Sequence, residues 1–191
     1  MFRRNLLKVA LAIMLATVTA FAIAVDLPRD SVYQLDATLQ DQDGRRASWS
    51  SHRGRLRIVT MFYSSCPHTC PLIVEAIKSL EAGLPAASRA RLNVDMISFD
   101  TARDTPEKLK AMAISRGIDE LRWHMYRADE ASIRQLSGLL GIQYRQLADG
   151  EFNHSSVIIL LDEEGRIAAR SDRIGAEDPK FLLIIARSLA R

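Results

Sequence analysis

A strand that runs straight into a helix is the feature that most narrows what this chain can become. Residues 57–63 (RIVTMFY) are β-branched and aromatic and stop after seven residues, which suits a buried strand; residues 71–84 then place Leu72, Ile73, Ala76, Ile77 and Leu80 at helical spacing. The alternation continues. Residues 93–99 read as a strand, 105–116 as a helix opened by Thr105-Pro106-Glu107 and stopped at Gly117, 121–126 as a short strand, and 129–140 as a helix ending at Gly141. A strong strand at 156–161, a turn at Glu164-Gly165, a strand at 166–169 and a terminal helix from about Pro179 complete the series. Ahead of them, runs at 34–39 and 46–50 flank Asp41-Gln42-Asp43-Gly44-Arg45, whose Asp-Gly pair predicts the turn of an entrance β-hairpin. Alternating strands and helices, closed by an antiparallel hairpin and a helix, predict an α/β domain: a mixed sheet with helices on both faces and an N-terminal β-hairpin.

The first 24 residues have a different logic. Arg3, Arg4 and Lys8 precede an apolar run, VALAIMLATVTAFAIAV over residues 9–25, with no charge in it, the layout of a secretory signal or an N-terminal anchor. Ala22-Ile23-Ala24 offers a small-residue cleavage site, while the run is close to the roughly 17 residues at the short end for spanning a bilayer. Arg3-Arg4-Asn5-Leu6-Leu7-Lys8 also resembles a twin-arginine export signal without the usual Ser or Thr before the arginines. The expected organisation is therefore a signal peptide or membrane anchor at 1–24, a linker at 25–32 and one folded domain at 33–191, exported to the bacterial periplasm and either soluble or held at the inner membrane. The three basic residues of the leader account for the whole formal charge of +3, so the remainder is neutral and carries no footprint for nucleic acid.

Two cysteines in an exported protein would by default form a structural disulfide, but Cys66 and Cys70 are four apart and a bridge would constrain little of the unfolded chain. Cys66-Pro67-His68-Thr69-Cys70-Pro71 instead sets two thiols at the junction between the strand and its helix. If the helix has begun there, both sulfurs share one face, and the unpaired N–H groups of a helix N-terminus should favour thiolate and lower the cysteine pKa. Thiolates bind soft metals and attack disulfides.

Residues 62–71 (FYSSCPHTCP) resemble the CPxxCP motif of the SCO/SenC family. Asp41-Gln42-Asp43-Gly44-Arg45 resembles that family's entrance hairpin, residues 98–107 (SFDTARDTPE) its DPxRDTP segment, and Asn153-His154-Ser155-Ser156 its histidine-bearing site before a late strand. The resemblance runs from Tyr33 to the C-terminus. It implies a thioredoxin-like fold, one copper ion per chain, as Cu(I) or Cu(II), held by Cys66, Cys70 and His154, and a role in assembling the binuclear copper site of cytochrome oxidase. The implied partners are the copper-site subunit of a respiratory oxidase or a similar cuproprotein, another periplasmic copper carrier, and the membrane through the N-terminal segment.

Residue chemistry bears on these implications. Two thiolates and an imidazole suit Cu(I), whereas Cu(II) prefers a tetragonal set with another nitrogen or oxygen; zinc also accepts Cys₂His with a fourth ligand. His154 immediately precedes the strand at 156–161, which should lie beside the strand leading to Cys66, and no proline stands near 150–156 to supply the substrate-seating residue of thioredoxins. His68 and Asn153 stand where the family commonly has acidic residues, and His68, two positions from Cys66, should point to solvent or a partner. Asp104 reads as part of a helix cap and Asp100 as a residue at the edge of the site. Trp49 and Trp123 read as core or edge aromatics. Two functions remain open: a metallochaperone that delivers copper, or a thiol:disulfide oxidoreductase with Cys66 and Cys70 as its catalytic redox pair and Cys66 attacking. Peroxidase chemistry fits less well, since Tyr63 stands where peroxiredoxins need Thr.

Overall fold

The computed structural model describes residues 26–66, 69–174 and 178–190. The leader expected at 1–24 and the orientation expected for His68 lie outside the described residues; among the described residues no helix is long and apolar enough to cross a membrane. In chain order the elements are β1 (Thr38–Asp41), β2 (Arg46–Ser48), β3 (Arg57–Phe62), α1 (Thr69–Ala82), a one-turn α2 (Ala86–Arg89), β4 (Asn93–Ser98), α3 (Pro106–Ser115), β5 (Trp123–Arg127), α4 (Glu130–Leu139), β6 (Tyr144–Gln146), β7 (Phe152–His154), β8 (Ile158–Leu161), β9 (Ile167–Ser171) and α5 (Pro179–Leu189). Short 3₁₀ turns at Val32–Gln34 and Trp49–His52 flank the entrance hairpin.

Seven strands form one mixed sheet in the order β2-β1-β5-β4-β3-β8-β9, with β3, β4 and β5 parallel and the outer pairings antiparallel. The parallel centre follows from the helical crossovers, and its strands are apolar on both faces because helices flank the sheet: every residue of β3 and β4 is buried. Trp49 and Trp123 are both core residues. α1 begins two residues earlier than its apolar spacing predicts, since Pro71 falls in the first turn, where its missing N–H costs no helical hydrogen bond. The cap of α3 is Thr105, whose hydroxyl accepts from the Lys108 N–H at 3.4 Å, so Asp104 is released from the capping role and used elsewhere.

One buried cluster in the sheet is ionic. Arg57 of β3 donates to both carboxylate oxygens of Asp95 on β4 at 2.9 and 3.0 Å, and His52 Nδ1 lies 2.8 Å from Asp95 Oδ2. Burial would raise the Asp95 pKa, but the His52 hydrogen bond and the Arg57 charge overcome it and hold the carboxyl below the usual range.

The β8–β9 turn fastens the entrance of the domain. Val32 N–H donates to the Gly165 carbonyl at 2.9 Å and Ser31 Oγ to the Glu164 carbonyl at 2.5 Å. Gly165 has φ +79°, and a Cβ there would meet the Tyr33 ring and lie 2.8 Å from Ser31 Oγ. Gly165→Ala therefore combines left-handed strain with overpacking and should destabilise the fold by about 2–4 kcal/mol, read as a lowered urea midpoint. An unchanged midpoint would show that the entrance segment yields at little cost.

Candidate metal centre

The centre is built at the C-terminal ends of the parallel strands, where open α/β sheets place their ligands. β3 ends at Phe62 opposite Ser98 of β4, and the chain leaves the sheet through Tyr63, Ser64 and Ser65 to reach Cys66. Cys66 thus precedes α1, and the two cysteines do not both stand on the helix as the i, i+4 spacing suggested. Cys70, in the first turn of α1, donates its backbone N–H to Cys66 Sγ at 3.4 Å, one of the four N–H groups a helix start leaves without an internal acceptor. The two cysteines are not bridged.

His154 comes from the opposite side. It closes β7 of a separate two-stranded sheet, paired in register with Tyr144 of β6, four residues before Ile158 opens β8 beside β3. Thr60 of β3 donates to the Val157 carbonyl at 2.9 Å and ties this entry to the main sheet. The outcome is that one donor atom each from Cys66, Cys70 and His154 lie within 4.8 Å of one another.

Protonation states follow from burial. Cys70 is fully buried, and desolvation pushes its thiol pKa up against a backbone hydrogen bond from Tyr63 that favours thiolate. The lowered pKa expected from the helix N-terminus is therefore not found at Cys70: desolvation outweighs the helix end. Burial also lowers the His154 pKa, opposed by the Ser155 carbonyl, so the imidazole is neutral at pH 7. Its Nδ1 lies 3.3 Å from that carbonyl, which can only accept; Nδ1 carries the proton and Nε2 the lone pair. The ring packs against Phe99 (centroids 4.9 Å apart) and edge-on to Tyr63 (5.9 Å).

Residues of the 62–71 and 98–107 segments surround these three, with side-chain contacts that sequence reasoning did not assign, and Glu151, which no motif singled out, joins them. Asp104 accepts from the Ser64 N–H at 2.9 Å, from the Ser64 hydroxyl, and from the Ser98 hydroxyl at 2.5 Å. Tyr63 donates its hydroxyl to Glu151 at 2.8 Å and also bonds to Cys66. Asp100 pairs with Arg103, whose guanidinium donates to the Gly150 carbonyl at 2.7 Å. The β6–β7 hairpin that carries Glu151 was not expected; Asp149-Gly150, the same turn signal as Asp43-Gly44, was the cue for it. Asn153 is exposed on that hairpin.

As a donor set, two sulfurs and one imidazole nitrogen suit a soft ion of low coordination number such as Cu(I).

The SCO1/SenC family profile matches residues 25–183. The chain belongs to the SCO1/SenC family. A relative from Stutzerimonas stutzeri, provisionally named a copper-binding protein, is 29% identical over 179 residues, covering 86% of this chain and 84% of the relative. Among solved structures, ScoI of Bradyrhizobium japonicum with copper bound is similar at 23% identity and a TM-score of 0.62, covering 81% of this chain and 95% of that one. ScoI of Arabidopsis thaliana with copper bound is similar at 18% and 0.65, covering 81% and 96%. These likenesses establish the fold, the thioredoxin-like arrangement of SCO1/SenC proteins, in which the described sheet and helices take their place.

Proposed function

We propose that this SCO1/SenC protein is a metallochaperone that binds one copper ion through Cys66, Cys70 and His154 and delivers it to, or prepares, the binuclear copper site of cytochrome c oxidase. The observation that carries the reading is the convergence of two sulfurs and an imidazole nitrogen within 4.8 Å, on loops at one end of the sheet. Copper-bound ScoI structures with the same fold support it. The copper is cargo. Two thiolates satisfy Cu(I), while Cu(II) is left short of the further nitrogen or oxygen it prefers, so a partner that completes the coordination can take the ion. In this reading the protein works in the periplasm, with residues 1–24 as its export signal or membrane anchor, beside the copper-site subunit of the oxidase.

Titration of the reduced full-length protein tests the first half: one Cu(I) per chain is expected, and zinc bound in preference to copper would sink it. Mixing the copper-loaded protein with the apo copper-site subunit tests the second, with absorbance of the assembled binuclear centre as readout. Affinity should also depend on pH. Because burial keeps the Cys70 thiol protonated at neutral pH, metal binding must displace that proton, and Cu(I) affinity should rise about tenfold per pH unit for each proton released. An affinity flat between about pH 5 and 8 would rule out thiol ligands.

The same dithiol also supports the oxidoreductase reading: both cysteines are buried, but Cys66 is 9% exposed and Cys70 not at all, which makes Cys66 the candidate attacking thiol and Cys70 the resolving one. Disulfide exchange needs the two sulfurs and not the imidazole. If His154→Ala supports oxidase assembly in cells as well as wild type does and Cys66→Ser does not, the oxidoreductase replaces the chaperone.

A further inference from the structure

The cysteine loop and the histidine hairpin belong to separate sheets, and the loop between β4 and α3 touches both. On the cysteine side, Asp104 accepts three hydrogen bonds, two of them from Ser64, two residues before Cys66. On the histidine side, the neighbouring Arg103 reaches the hairpin. Its Nε is held by the buried carboxylate of Asp100; its terminal nitrogens donate to the Gly150 carbonyl at 2.7 Å and lie 3.7 Å from Glu151 Oε1. Its guanidinium sits 5.7 Å from the centre of the Phe152 ring. Glu151 completes the circuit by accepting from Tyr63, the residue next to Ser64. Arg103 therefore grips three consecutive residues, 150 to 152, that lead from the hairpin turn into the strand ending in His154.

We infer that Arg103 is the positioning residue for His154: it clasps the β6–β7 hairpin to the loop that holds the cysteines and so sets the imidazole against the two sulfurs. The inference rests on the copper reading of the centre. A planar guanidinium suits the task because it can serve Asp100, the Gly150 carbonyl and the Glu151 carboxylate at once from a fixed geometry, which a lysine ammonium cannot. Packing of Phe99, Tyr144 and Phe152 also holds the hairpin, so loss of the clasp should loosen the histidine rather than release it. Such a loss falls unequally on the two oxidation states, since Cu(I) is satisfied by the thiolates whereas Cu(II) needs the nitrogen.

The test compares the full-length wild type with Arg103→Gln and Arg103→Lys. For Arg103→Gln, Cu(II) affinity should fall about 10–100-fold, with the thiolate-to-copper absorption band and the EPR hyperfine splitting shifted toward those of His154→Ala, while Cu(I) affinity changes by no more than about threefold. Arg103→Lys should show the same shifts at smaller amplitude, and it carries the test if the glutamine variant does not fold. In the metal-free protein, amide exchange across residues 144–154 should speed up about tenfold in Arg103→Gln while exchange in the central strands stays put. Wild-type Cu(II) spectra and affinity in a folded variant would overturn the inference, as would equal losses of Cu(I) and Cu(II). If the wild type binds no copper, the reading of the centre fails on its own; unchanged exchange at 144–154 then separately overturns the clasp.

Discussion

Cys66→Ser or Cys70→Ser should each abolish tight Cu(I) binding, with affinity falling by more than about a hundredfold, beyond the roughly 10–100-fold that follows loss of groups merely supporting a ligand. Serine is nearly isosteric with cysteine but offers a hard hydroxyl oxygen of very high pKa in place of a soft sulfur. Three donor atoms lie within 4.8 Å of one another, and removing either sulfur leaves one thiolate and one imidazole. The two variants should differ in stability as well. Cys70 is fully buried, so Cys70→Ser sets a hydroxyl in an apolar site, whereas Cys66 lies nearer the surface. Competition with a chromophoric Cu(I) chelator measures the affinity, and wild-type affinity in both variants would remove the cysteines from the centre.

Asp95→Ala should destabilise the fold by about 3–5 kcal/mol, because it leaves the Arg57 guanidinium buried without its carboxylate and frees His52 of its hydrogen bond. Asp95 is completely buried between the two, so water cannot replace it without opening the sheet. The pH dependence has a definite sign. A carboxyl whose folded pKa lies below its unfolded value of about 3.9 contributes stability above that value, and the contribution is lost as pH falls through the lower, folded pKa. Urea unfolding from pH 7 to pH 2 should therefore show wild type losing part of its advantage over Asp95→Ala below about pH 4; a difference constant across that range would mean that the Asp95 carboxyl titrates alike in the folded and unfolded chain.

What the sequence revealed, and what it hid, divides by the range of the interactions. β3, β4 and α4 were legible because their apolar pattern is local, and the entrance hairpin because Asp43-Gly44 declares its turn. The cysteines could be read as chemistry from their spacing, although Cys66 lies ahead of the start of α1 at Thr69 and meets Cys70 through the Cys70 backbone N–H rather than on a shared helix face. Asp104 looked like a cap because its neighbours in sequence allow one, while its actual partner, Ser64, is forty residues away. β6 and β7 are three residues each and only partly buried, too short for any period to stand out, and so the hairpin carrying His154 went unread. The Cys70 pKa was misjudged for a related reason: a helix start is visible in sequence, but the complete burial of Cys70 depends on what packs over it.

The late position of β8 bears on how the centre matures. β3, α1 and β4 follow one another along the chain, so the segment that pairs the thiols needs few distant contacts, whereas the imidazole arrives only when β8, separated from β3 by the whole middle of the domain, docks antiparallel beside it. Contacts between remote segments are slow to form because the intervening loop must be closed first. The sulfurs and the nitrogen therefore depend on contacts of different range: the thiols on the segment around β3 and α1, the imidazole on the return of β8 to β3. Three-donor coordination accordingly requires the last strands of the sheet to be in place.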